Sequence, residues 1–167
     1  QVERSVRRQM VADVPVGAFL SGGMDSSAVV AFMARTPGPP VQTFSVGFPG
    51  GGAYNELADA ARVARHLGTE HRQLSLGEDD LLGCLETLVY HYDEPFGDAA
   101  AFPTYLVARL AREHVTVCLT GEGGDELFAG YPTYLGHLWA GAASRLPGPA
   151  RHLIASLATR FRPRHHH

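Results

Sequence analysis

The chain contains no lysine: all 14 of its basic residues are arginine. Nucleotide enzymes commonly set a lysine against the phosphates, so a G-x-x-x-x-G-K-[ST] phosphate loop is excluded. Cysteine is almost as scarce. Cys84 and Cys118 each sit inside an apolar stretch, which excludes a disulfide framework and predicts buried, reduced thiols. No apolar run approaches the roughly 20 residues that cross a bilayer. Charged Glu3, Arg4, Arg7 and Arg8 stand where a signal-peptide core would be, so a soluble, cytoplasmic protein is expected. A basic excess is missing too. With a net charge of -3, nucleic acid and anionic membranes are poor partners, and small molecules are favoured. The histidines show no metal-ligand spacing. His66 and His71 flank a predicted turn, while His91 and His114 lie near predicted helix ends, so solvated or capping roles are expected and no zinc site.

What the chain does have is one core's worth of apolar residues, 45% of 167, too few for two ordinary domains. Apolar residues at four-residue spacing predict a helix over residues 1–13. Val16 to Leu20 reads as a strand, Ala28 to Arg35 as a helix, and Gln42 to Phe48 as a second strand after a proline-rich break. A glycine-rich turn at Pro49 to Gly52 precedes a helix over Leu57 to Leu67 that stops at Gly68. Glu70 to Leu74 is a weaker strand candidate. Helices follow at Leu81 to Tyr92 and Phe102 to Glu113, then a buried strand at Val115 to Thr120. Alternation of this kind predicts an α/β fold: a doubly wound, mostly parallel sheet with helices on both faces. From Pro132 onward no further strand is evident. The expected organisation is a domain over 1–131, a helical extension over 132–164 and a tag remnant at His165, His166 and His167.

Two loops carry the chemistry. Ser21-Gly22-Gly23-Met24-Asp25-Ser26-Ser27 lies between strand and helix. Its glycines let backbone approach a ligand, its serines provide hydroxyls, and the following helix presents unpaired N–H groups with a positive dipole end. That is a phosphate cradle. Asp25 would repel phosphates unless Mg²⁺ lies between, so a metal-bridged polyphosphate is the simplest ligand. The second loop, Gly121-Glu122-Gly123-Gly124-Asp125-Glu126, follows another strand. Ligands of open α/β sheets bind beyond the carboxyl ends of strands, where one pocket can use both loops.

The first loop resembles the pyrophosphate-binding S-G-G-x-D-S loop of ATP pyrophosphatases. Leu119-Thr120-Gly121-Glu122-Gly123-Gly124-Asp125-Glu126-Leu127-Phe128-Ala129-Gly130-Tyr131 resembles the signature of the synthetase domain of glutamine-dependent asparagine synthetases. Phe44-Ser45-Val46-Gly47-Phe48 and Asp93-Glu94-Pro95 fit the same group. The resemblance covers roughly residues 1–135 and implies a fold of the adenine-nucleotide alpha-hydrolase type. It implies that Leu20 and Val46 contact adenosine, that Ser21, Gly22, Gly23, Ser26 and Ser27 bind pyrophosphate, and that Thr120 and Gly121 lie near the α-phosphate. Asp25 and Asp125 would hold Mg²⁺, and Glu122 would assist formation of the acyl-adenylate from ATP and the aspartate side chain, which ammonia from glutamine then converts to an amide.

Departures accompany the matches. Family members add an N-terminal glutaminase domain with a nucleophilic cysteine and continue into a helical segment bearing a lysine; neither is in this sequence. No glutamine hydrolysis is expected of this chain, Mg-ATP binding should be weak or absent, and turnover should be lost. β-Lactam synthetases, peptide-cyclising ligases and a non-catalytic nucleotide-binding module stay open as alternatives, as does a homodimer. Glu94 and Asp98 are further candidates to line a substrate site.

Overall fold

A computed structural model describes residues 1–48, 50, 55–94, 97–144, 147 and 148. The expected turn at Pro49 to Gly52 is described only at Gly50, and the arginines beyond residue 150 lie outside the described residues, as do residues 165–167. The chain divides into two compact units, Gln1–Glu122 and Gly123–His167.

The first unit carries a four-stranded parallel sheet in the order β3-β2-β1-β4. Its strands are β1 (Val16–Phe19), β2 (Gln42–Gly47), β3 (Glu70–Ser75) and β4 (Val117–Leu119). Its helices are α1 (Val2–Gln9), α2 (Met24–Ala34), α3 (Leu57–Leu67), α4 (Glu78–Tyr92) and α5 (Ala101–Arg112). Side chains alternate across the sheet. Ala18 and Leu119 join Val6 of α1, Val30 and Met33 of α2, and Ala60 and Ala64 of α3 in one buried cluster. Phe44 packs on the opposite face with Val107 and Ala111 of α5, and Cys84 and Leu88 of α4 pack there with Leu106 of α5 and Leu76. Helices thus cover both faces of a parallel sheet, as the alternating pattern predicts.

Winding proceeds outward from β1 through β2 to β3, then returns to place β4 on the other side of β1. The carboxyl ends of β1 and β4 are therefore neighbours across the point where the strand order reverses, the crevice in which doubly wound sheets bind ligands.

Boundaries differ from expectation where tertiary partners decide them. The helix expected over residues 1–13 ends at Gln9. The strand expected over Val115 to Thr120 is only three residues long: the Val115 N–H is taken by the Ala111 carbonyl at the end of α5, and β4 pairs with β1 only from Val117 to Leu119. The weak candidate at Glu70 to Leu74 is a full strand, in register with β2 from Gln42↔Glu70 to Gly47↔Ser75; its polar composition suits its half-solvated edge. Gly68 closes α3 in the left-handed region at φ 67°. Asp93, which is not glycine, closes α4 in the same conformation at φ 57°. Both cysteines are free, but only Cys84 is buried; Cys118, on the edge strand, is half-buried, and burial pushes its thiol up to about 11.

The second unit begins with the short helix α6 (Gly124–Phe128), followed by α7 (Pro132–Ser144). A helix is therefore present at the start of the expected helical extension. Among the described residues, no helix is long and apolar enough to cross a membrane.

Candidate functional site

Loop one leaves β1 through Leu20, whose main chain is anchored on both sides. Its N–H donates to the Phe44 carbonyl at 2.9 Å, and its own carbonyl accepts from the buried Ser45 hydroxyl. The Leu20 side chain is in the core. Val46, the other residue expected at adenosine, follows Ser45 on β2 and is half-buried.

Beyond Leu20 the loop is held by its own hydroxyls. Ser26 Oγ accepts the Ser21 N–H at 3.2 Å, bonds Ser21 Oγ at 2.8 Å and donates to the Gly23 carbonyl at 3.3 Å. Ser21 Oγ accepts the Gly23 N–H at 3.2 Å. These bonds turn the chain so that Gly23, in extended conformation, becomes the N-cap of α2, with no side-chain cap on the helix. The first α2 amides are thus left without a side-chain acceptor, at the positive end of the helix dipole. Ser26 is spent on the loop's shape. Ser27 is different: its Oγ is buried and has no hydrogen-bond partner, and buried hydroxyls are ordinarily satisfied.

Gly22 has φ +86°, and a Cβ there would lie 2.7 Å from the Ala60 nitrogen and 2.8 Å from the Asp59 carbonyl carbon. The loop therefore rests on the first turn of α3, a support that serine and glycine content alone does not reveal.

Loop two reaches the same place from β4. A Cβ on Gly121 would lie 2.7 Å from the Ser26 nitrogen and 3.1 Å from the Asp25 carbonyl carbon. Only a residue without a side chain lets the backbone after β4 touch the first turn of α2. Ser21, Gly22, Gly23, Asp25, Ser26, Ser27 and Gly121 are thus brought into one cluster, with Thr120 adjoining it. Thr120 Oγ1 accepts the Glu122 N–H at 3.4 Å, and Glu122 is exposed.

In the second unit, Asp125 lies in the first turn of α6 behind Gly123, which has φ 87°. Its carbonyl accepts the Gly130 N–H at 3.0 Å. Tyr131 donates its hydroxyl to Glu126 Oε1 at 2.9 Å, and that bond with the Glu126 charge pushes the phenol up. Glu94 is exposed, and Asp98 accepts the Ala100 N–H at 2.9 Å beside the start of α5, an occupation with local structure. His71 departs from the expected solvated role: it lies within β3 with Nδ1 3.0 Å from Thr43 Oγ1. Among the described residues, no group of three or more His, Cys, Asp or Glu side chains could hold a metal.

A family model described as asparagine synthase matches residues 1–167. The chain is 42% identical over 154 residues to asparagine synthetase [glutamine-hydrolyzing] 1 of Bacillus subtilis, covering 92% of this chain and 24% of that protein. It is 46% identical over 132 residues to putative asparagine synthetase [glutamine-hydrolyzing] 2 of Methanocaldococcus jannaschii, covering 78% and 25%. The chain thus spans about a quarter of the length of these relatives. A solved NH3-dependent NAD synthetase from Campylobacter jejuni matches at TM-score 0.49 and 16% identity, covering 78% of this chain and 57% of that one.

Proposed function

Because the chain belongs to the asparagine synthase family, we propose that it is the ATP-binding part of an amide-forming ligase. The observation that carries this reading is the contact of Gly121 with the Asp25–Ser26 backbone, which joins two glycine-rich loops at the reversal point of the sheet. A polyphosphate suits what is gathered there: main-chain N–H groups at a helix start, hydroxyls, and a buried Ser27 Oγ still without a partner. In this reading Ser21, Gly22, Gly23, Ser26 and Ser27 form the pyrophosphate cradle, with Ser26 acting through its hold on the loop. Thr120 and Gly121 lie by the α-phosphate, and Leu20 and Val46 by adenosine.

Asp25 and Asp125 are the proposed Mg²⁺ ligands. Mg²⁺ is usually held by one or two carboxylates together with substrate phosphates and water. When bound, the ion would offset the charge of the departing pyrophosphate.

For the whole protein this reading gives the following reaction. A side-chain carboxylate oxygen of aspartate attacks the α-phosphorus of ATP, and the bond to the pyrophosphate oxygen breaks. Glu122 assists this step, and the preorganised donors of the cradle take up the charge on the leaving group. Ammonia then attacks the acyl carbon, loses a proton and expels AMP, leaving the amide. The 1–131 region would form the nucleotide-binding domain and the region from 132 the start of a helical segment.

Calorimetric titration with Mg-ATP tests the reading. Weak but saturable binding is expected, reduced about tenfold or more by Asp25→Ala, since removal of a charge-pairing group costs more than one neutral hydrogen bond. A chain that shows no heat or spectral change with Mg-ATP or Mg-pyrophosphate overturns it.

A further inference from the structure

The cradle is shaped from outside as well as from within, and the outer support starts at one side chain. Asn55 Oδ1 accepts the Leu57 N–H at 3.3 Å, taking one of the unpaired donors at the start of α3. The residue at the helix N-cap, Glu56, makes no side-chain cap bond, so this acceptor is supplied by its neighbour. The same oxygen abuts the end of β2: a Cβ on Gly47 would lie 2.5 Å from Asn55 Oδ1 and 2.5 Å from Leu57 Cγ. Gly47 is itself fixed in the sheet, since its carbonyl accepts the Leu76 N–H at 2.8 Å. Two residues further along α3, the Asp59–Ala60 backbone is the surface on which Gly22 rests. A continuous path of contacts therefore runs from the carboxyl end of β2, through Asn55 and the first turn of α3, to the turn of the serine-glycine loop.

We infer that Asn55 is a positioning residue for the phosphate cradle: by capping α3 against Gly47 it sets the place of the Asp59–Ala60 backbone, and with it the place of Gly22. The functional half of this inference rests on the nucleotide reading above, and the structural half does not. The effect of Asn55 on the cradle passes through the Asp59–Ala60 backbone to Gly22. Small displacements of positioned groups are costly to binding and chemistry.

The experiment uses the 167-residue chain in wild-type, Asn55→Ala and Asn55→Asp forms, the last keeping an oxygen acceptor for the Leu57 N–H. Amide hydrogen exchange without ligand comes first. Asn55→Ala should speed exchange at the Ser21, Gly23 and Ser27 amides and across the first turn of α3, leave the β2 and β3 amides unchanged, and be reversed by Asn55→Asp. Exchange unchanged at those loop amides, an increase spread equally over the whole sheet, or failure of Asn55→Asp to restore protection overturns the inference. Titration with Mg-ATP follows, in which Asn55→Ala should weaken binding about tenfold while Asn55→Asp stays near wild type. Equal affinity in wild type and Asn55→Ala overturns the functional half. A wild-type chain that binds no nucleotide, while its loop amides still respond to Asn55→Ala, sinks the nucleotide reading and leaves the positioning role standing.

Discussion

Ser45 donates its hydroxyl proton to the carbonyl oxygen of Leu20, so the last core residue of the β1 segment is tied sideways to β2 just before the serine-glycine loop departs. Ser45 is 5% exposed and Leu20 2%, so both residues are buried.

Ser45→Ala should therefore cost more than a surface hydrogen bond. It removes the donor and leaves a buried carbonyl unsatisfied, a loss of about 1–3 kcal/mol. Chemical denaturation should show a lower midpoint at constant slope. An unchanged midpoint would show that Leu20 finds another donor.

Gly121→Ala tests the meeting of the two loops. The added methyl would press on the Ser26 nitrogen, and because the obstacle is backbone the strain is relieved only by moving one loop from the other. Overpacking of this kind costs about 1–3 kcal/mol. Mg-ATP affinity should fall further than stability does, whereas Gly136→Ala, on α7 with open space around its Cα, should leave affinity unchanged. Full retention of affinity in Gly121→Ala would remove the main support for a shared site.

His71 predicts a pH dependence. Burial lowers its pKa below 6.5, with Nε2 buried and unpartnered while Nδ1 is shared with Thr43. The unfolded chain therefore binds a proton more readily than the folded one, and stability must rise with pH where the unfolded imidazole titrates. The contribution is fully present above pH 6.5 and is lost as pH falls from there through the lower folded value. In urea titrations across that range, His71→Gln should flatten the slope relative to wild type. Parallel curves would count against burial of a neutral ring.

The sequence was legible where local chemistry and tertiary context agree. The alternation of strands and helices, the stop of α3 at Gly68 and the loop after β1 all follow from residue types that have few other uses. The neighbourhood of β1 and β4 was expected only through the two loops' shared chemistry, because strand order is decided by how helices pack on each face, and nothing in residues 16–20 or 115–120 by itself encodes the partner. Asn55 carries no motif of its own, and Ser45, although within the Phe44 to Phe48 stretch that fits the family, gives no sign in the sequence of its bond to Leu20. A helix-start signal in Asn55-Glu56-Leu57 was available, yet its link to Gly22 emerges only once α3 is seen beneath the loop. Gly121 lay within a recognised motif, but the reason for a glycine there is the approach of α2.

Apart from Asp25, every group gathered from Ser21 to Ser27 is a peptide, a hydroxyl or the thioether of Met24. Such donors neither gain nor lose protons in the neutral range, so the grip they offer an anion is titration-silent. Any acidity profile in nucleotide affinity would then have to originate outside those donors.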